Sequence, residues 1–191
     1  VRPDNPREFF ERWLPAEFAK AGGAPGINTL VRVELDGEGA WNLQVDGKKL
    51  ALVADGGDPD VIVAQTVEDW RATAEVAPQG ASPRDMLMLD AGTQQALAAL
   101  RGVVRFEVTG FAAGRNWQLT VAFGKGTPAA RPLEPQATIT VDSETQKLLL
   151  AGKMMPPEAY FAGKIQIQGD MNLAMQLGMA MMSRFAQRRP A

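Results

Sequence analysis

Lys153-Met-Met-Pro-Pro-Glu-Ala-Tyr-Phe-Ala-Gly-Lys-Ile-Gln-Ile-Gln-Gly-Asp-Met-Asn-Leu-Ala-Met-Gln-Leu-Gly-Met-Ala-Met-Met-Ser-Arg-Phe185 sets a short helix, a strand and a long helix in series with almost no loop. Pro156 and Pro157 suit a helix start and Gly163 its end. Ile165 and Ile167 alternate with Gln166 and Gln168, the period of a strand with one buried face. Gly169 supplies the turn, and Asp170 is placed to cap a helix that begins at Met171. At 3.6 residues per turn, Met171, Ala174, Met175, Gly178, Met181, Met182 and Phe185 share one face, with Asn172, Gln176 and Ser183 opposite. Such a stripe reads as ordinary core, or as a flexible, polarizable surface that closes over guests of different shape.

Working outward, Asn5, Pro6 and Glu8 make a cap, a first-turn proline and a capping-box partner for a helix carrying Phe9, Phe10, Trp13, Leu14 and Phe18. Pro15 predicts a kink or split near Leu14, and Gly22-Gly23 an end. Leu30 to Leu35 alternates as a strand. Asp36-Gly37-Glu38-Gly39 turns it into a partner strand with Trp41, Leu43 and Val45. A third strand follows at Leu50 to Ala54 and a fourth at Val61 to Ala64. Thr66 with Asp69 opens a helix through about Glu75, and Val76 to Ala81 reads as loop. Short helices are expected from Ser82-Pro83 and over Thr93 to Arg101.

Then the pattern restarts. Val103 to Val108 is a strand, Gly110 to Gly114 a turn, and Trp117, Leu119 and Val121 the partner. Thr138 to Val141 forms another, and Ser143 with Gln146 reads as a capping box for a helix through Ala151. Trp41-x-Leu-x-Val and Trp117-x-Leu-x-Val are 76 residues apart, as are Asp58-Pro59 and Glu134-Pro135, while the strands before the tryptophans are 73 apart. The near-constant offset predicts an internal duplication. The copies differ: the first has the strand at Leu50 to Ala54 where the second has a proline-bearing loop, Gly124 to Pro135. The second has the Ile165-Ile167 strand, which the first lacks. Halves of this size expose sheet edges when alone, so one fused body over 1–191 is expected, with halves 1–102 and 103–191.

Composition narrows the chemistry. The 191 residues include no cysteine and no histidine, which removes disulfides, thiolate chemistry, the usual zinc ligands and Ser-His or Cys-His pairs. A net charge of −2 gives no electrostatic case for nucleic acid, and no basic run exceeds Arg188-Arg189. Those two charges are too few for stable membrane attachment. No apolar run approaches the roughly 18 residues that span a bilayer. No leader is visible, though Val1 in place of methionine leaves a removed one open; the cytoplasm is the default expectation.

No catalytic constellation emerges. Gly124-Lys125-Gly126-Thr127 is followed by Pro128 and Pro132, so no helix N-terminus stands behind it as a phosphate loop requires. Gly37-x-Gly39 fits a hairpin. Asp55, Asp58 and Asp60 read as turn acids, lacking calcium-loop spacing. Ser82 and Ser143 fit helix caps and Ser183 a polar face. Glu158 and Asp170 fit helix starts, and Trp13, Trp41, Trp70 and Trp117 fit the core. No metal site and no cofactor is expected.

Phe161 to Leu177 resembles the C-terminal signature of the sterol carrier protein type-two family, which reads close to Gly-Lys-x-Lys-Ile-x-Gly-Asp, two variable residues and Leu-Ala-Met-x-Leu. Gln166 stands where that family often has lysine. The opening Phe-Phe helix with Leu14-Pro15 resembles the family more weakly. The resemblance covers residues 103 to 185 well and 7 to 75 moderately. It implies an α+β fold, a mixed and mainly antiparallel sheet covered by helices, here in duplicated form. It also implies a non-catalytic carrier of a sterol, fatty acid or fatty acyl thioester, held in an apolar tunnel between sheet and helices. Carried over by position, Phe161, Ile165, Ile167, Met171, Met175 and Met182 are the lining candidates, with Met179 at the flank of the same face. The alternative is a structural or docking module of the same fold that binds a partner protein or forms an oligomer. Membrane contact would be transient at most.

Overall fold

A computed structural model describes residues 2–54, 57–76, 83–87, 89–111, 114–125 and 133–187, and of these not the side chains at 75, 76, 84, 85 and 183–187. Several expected features therefore lie outside the described residues: Asp55 and Gly56, the loop after Val76, Ser82, Met88, most of the Gly124–Pro135 loop, and Arg188-Arg189; so do the side chains of Ser183 and Phe185.

The N-terminal helix runs through α1 (Pro6–Glu8), a wider π-turn segment (Phe9–Trp13) and α2 (Leu14–Lys20). Asn5 caps it, accepting from the Glu8 N–H at 3.0 Å. The predicted disturbance at Pro15 takes the form of that widened turn, in which the Leu14 N–H reaches back to the Phe9 carbonyl just before the proline that cannot donate.

Among the described residues eight strands form one sheet: β1 (Asn28–Asp36), β2 (Gly39–Asp46), β3 (Lys49–Leu52), β4 (Val61–Thr66), β5 (Gly102–Thr109), β6 (Trp117–Phe123), β7 (Ala137–Asp142) and β8 (Ile165–Gly169). Their order is β3-β2-β1-β4-β6-β5-β7-β8. β1 lies between an antiparallel β2 and a parallel β4, and β5 between an antiparallel β6 and a parallel β7. The two four-strand sets join where β4 pairs antiparallel with β6, from Val61 opposite Phe123 to Ala64 opposite Thr120. At this junction each set supplies the strand that covers the other's outer edge.

The same backbone joint occurs in both sets. The Asp60 N–H donates to the Leu30 carbonyl, the Leu30 N–H donates to Asp60 Oδ2, and the Gly124 N–H donates to the Asp60 carbonyl, at 2.9 Å each. Gln136 repeats this with Val103 and Asp170: its N–H donates to the Val103 carbonyl at 2.8 Å, Val103 N–H donates to Gln136 Oε1 at 3.0 Å, and Asp170 N–H donates to the Gln136 carbonyl at 2.8 Å. Val31-Arg32-x-Glu34 and Val104-Arg105-x-Glu107 carry the same 73-residue offset. The tryptophans do not hold equivalent register. Trp41 faces Val33, whereas Trp117 faces Val108, which the offset aligns with Leu35. A two-residue slip keeps both side chains on one sheet face.

The N-terminal helix and the helices that carry Trp70, Leu97 and Leu173 pack on one face of the sheet, the face of Val31, Val104 and Ala137. Phe9, Phe10, Leu14 and Phe18, with Trp70 of α3 (Val67–Val76), cover Val31, Val33, Leu35, Trp41, Leu43, Val45 and Leu50. Leu89 follows the short α4 (Pro83–Met86) into the same cluster. α5 (Ala91–Ala98) begins earlier than expected because Asp90 caps it, accepting from Thr93 N–H at 2.8 Å. Likewise Asp142, rather than Ser143, caps α6 (Ser143–Leu150), accepting from the Thr145 N–H at 2.8 Å and the Thr145 hydroxyl at 2.6 Å. Ser143 instead donates to the Gly110 carbonyl at 3.1 Å. α7 (Pro156–Phe161) and α8 (Met171–Gln187) flank β8 as the sequence predicts. On the opposite sheet face, Ile62, Val103 and Ala122 are covered by Leu133; Arg32, Glu34, Arg105, Gln118, Gln166 and Gln168 share that face by strand alternation.

Candidate functional site: an apolar groove over the second strand set

Gly169 and Asp170 aim α8. Gly169 has φ of 86°, and a Cβ there would collide with the Gln136 carbonyl, so only glycine fits the turn. Asp170 Oδ1 then accepts from the Leu173 N–H at 3.0 Å and starts the helix. The face of α8 that packs is Leu173, Ala174, Leu177 and Ala180, against Leu97 and Leu100 of the α5 region and Val104, Val121, Phe123 and Ala137 of the sheet. This corrects the stripe read from the sequence: Ala174 belongs to the packed face, but Met171, Met175 and Met179 are 39%, 57% and 67% exposed on the other side. Both stripes have helical period; the branched leucines and small alanines win the close contact with the sheet.

α8 and α5 cover only part of the second set. In the next row along the strands, Leu119, Phe106, Ile139 and Ile167 stand side by side as register partners, all partly buried. Val141 and Ile165 extend the open area by one step, beside the buried Val108 and Trp117. Six partly buried apolar side chains thus lie on four adjacent strands, a floor about 14 Å across at the ordinary strand spacing. Phe106 touches the packed clusters at both ends. In the first set, Val31, Val33, Leu43 and Val45 are at most 5% exposed beneath the phenylalanine helix, while Val63, the counterpart of Ile139, is partly buried.

Of the residues singled out from sequence, Ile165 and Ile167 lie on this floor and Met182 is half-buried late in α8. Phe161 is 87% exposed at the end of α7, stacked edge-on to Tyr160 at 5.8 Å. Phe161, Met171, Met175 and Met179 are thus exposed, whereas Ile165, Ile167 and Met182 are partly buried. The signature drew attention away from Phe106, Leu119, Ile139 and Val141, whose alternation in the repeated strands is the signal that finds them. Trp41, Trp70 and Trp117 are core, and Trp13 stacks on Phe9 at 5.0 Å. Asp69 is buried beside the junction, where Arg115 Nη1 meets its Oδ1 at 2.7 Å and Trp117 Nε1 donates to its carbonyl at 2.9 Å. Among the described residues no cluster of three or more acidic side chains is placed to hold a metal, and no helix is long and apolar enough to cross a membrane.

The model of the SCP-2 sterol transfer family matches residues 84–182, just over half of the chain and all of the groove floor. The chain belongs to this family. Among curated relatives, hydroxysteroid dehydrogenase-like protein 2 of Xenopus laevis is 33% identical over 89 residues, 44% of this chain and 20% of that protein. Sterol carrier protein 2 of Gallus gallus is 33% identical over 87 residues, 44% of this chain and 16% of that protein. The chain thus spans a fifth or less of the length of these relatives. Among solved structures, the sterol carrier protein domain 2 of Helicoverpa armigera is 28% identical with a TM-score of 0.39, covering 52% of this chain and 80% of that one. The matched residues begin in α4 and end in α8.

Proposed function

We propose that this SCP-2 family chain binds and transfers a lipid with a long apolar body, a sterol, fatty acid or fatty acyl thioester, without catalysing its reaction. The single observation that carries this reading is the partly buried apolar floor of Phe106, Leu119, Ile139, Val141, Ile165 and Ile167, beside the row that α8 covers. Covering that floor removes apolar surface from water at roughly 25 cal/mol per Å². Enclosure rather than a charge pair supplies the affinity, so selectivity is loose. Met182 joins the floor, while Phe161, Met171, Met175 and Met179 form an adaptable outer surface met as the guest enters. In this reading the body is one fusion of two sterol-carrier-like halves. The repeated Asp60 and Gln136 joints support it, and α5, which packs on α8, is counted with the second half.

A fluorescent fatty acid displacement titration tests the reading. Saturable binding is expected, with loss on Ile139→Lys and weakening on Met175→Trp; no saturable binding by the folded wild-type chain contradicts it. A second reading, a docking module that binds a partner chain, is favoured by the exposure of Phe161, Met175 and Met179. Mass spectrometry of an organic extract separates them: co-purified lipid supports carriage, and a lipid-free protein seated on a partner supports docking.

A further inference from the structure

The sheet ends at two different edges. β3 is four residues long, begins with Lys49 after Lys48, and has α2 packed beside it, the ordinary ways of blunting an edge. β8 is blunted less: it is five residues long, follows a single lysine, Lys164, and has α7 packed beside it. Between Lys164 and Asp170 it reads Ile-Gln-Ile-Gln-Gly, uncharged and without proline, and Gln166, Gln168 and Gly169 are exposed. The Asp170 N–H on the Gln136 carbonyl fixes which peptides turn inward. In an antiparallel ladder hydrogen-bonded pairs alternate, so Gln168 and Gln166 direct their peptide groups to Thr138 and Thr140 of β7. Those of Ile165, Ile167 and Gly169 point off the sheet.

We infer that β8 is the pairing edge for a second copy of this chain, joined antiparallel about a two-fold axis at Ile167. In that register Ile167 faces its own copy, Ile165 faces Gly169, and every outward peptide group meets another. Gln166 faces Gln168, and Lys164 faces Asp170 at both ends. The opposite charges select this register over a slip of one step in either direction, which pairs neither lysine with an acid. Lys164 lies on the same sheet face as Asp142, its cross-strand neighbour on β7, so it is drawn from both sides. A two-fold axis normal to the sheet keeps both helix layers on one side. The row Leu119–Phe106–Ile139–Ile167 then runs on into the partner's, doubling the length of apolar floor. The self-pairing rests on the edge geometry and not on lipid carriage.

Sedimentation of the full chain over a concentration series, with amide exchange at each concentration, tests this. A monomer–dimer equilibrium is expected in which the Ile165 and Ile167 amides gain protection with concentration while those of Gln166 and Gln168 are protected throughout. Two double variants on the polar face leave the floor untouched. Gln166→Lys with Gln168→Lys sets lysine against lysine twice and raises the dimer dissociation constant at least tenfold. Gln166→Lys with Gln168→Glu sets lysine against glutamate twice and keeps or tightens the dimer. A chain that stays monomeric at every concentration overturns the inference, and so does a dimer that responds equally to both variants.

Discussion

The two strand sets share a sheet face and a joint but not a filling. Over β1 and β2, a helix rich in phenylalanine presses onto the sheet, and Phe18, Leu43 and Val45 are fully buried. Over β5 and β7, the covering helices offer leucine and alanine along one margin and leave the next row of side chains partly buried. One architecture thus gives a fully packed floor beneath the bulky N-terminal helix and a less covered one over the second set. β4 and β6 cover each other's outer edges, so the first set also closes the second set's sheet on its inner edge.

The difference can be tested by cutting into each floor. Phe18→Ala should cost about 4 kcal/mol, because the cavity it leaves is closed on all sides, whereas Ile139→Ala should cost about 2 kcal/mol, since that side chain already borders open space. Urea unfolding of the two variants measures the gap; equal losses would mean that the second floor is packed as tightly as the first.

The next largest effect concerns the joint that aims α8. Gly169→Ala combines a left-handed backbone with a collision against the Gln136 carbonyl and should cost about 2 kcal/mol. Gly178→Ala goes the other way. A Cβ there meets nothing within 4 Å, so the change should stabilise α8 by up to about 1 kcal/mol, read as a raised thermal midpoint.

The smallest effect separates the two mirrored caps, Thr66–Asp69 and Asp142–Thr145. Hydrogen bonds from the Thr145 side chain, then from its backbone, hold the Asp142 carboxyl below the usual carboxylate range. Its native form therefore releases the proton more readily than its unfolded form. The stabilising contribution is complete above the unfolded value, near pH 4, and is lost as pH falls through the lower native one. Asp142→Asn should flatten that acid limb of the midpoint-against-pH curve; an unchanged limb would remove Asp142 as a contributor.

Much of this was legible because local chemistry decides it. Asn5, Asp170, Gly163 and the alternating Leu30 to Leu35 announce caps, turns and strands within a few residues. Long-range choices were not. Nothing in Val61 to Ala64 tells that its free edge will take Trp117 to Phe123, since any amphipathic strand offers the same edge. The α8 sequence carries two helical stripes about half a turn apart, and only the sheet beneath shows that Leu173 and Leu177 pack while Met175 does not. Ser143 and Asp142 are both good caps one residue apart, and the Thr145 hydroxyl on Asp142 settles the choice. The floor was hidden for a related reason: Phe106 and Ile139 alternate like core residues, and their only partial burial depends on which row the helices cover.

The central claim is that a lipid settles on the second floor and not on the first. Methyl NMR of the full chain during a fatty acid titration reads this directly. Saturating shifts at Leu119, Ile139, Val141, Ile165 and Ile167, with Val31, Val33, Leu43 and Val45 unmoved, are what the structure predicts. Shifts spread equally over both floors, or confined to the first, would contradict it.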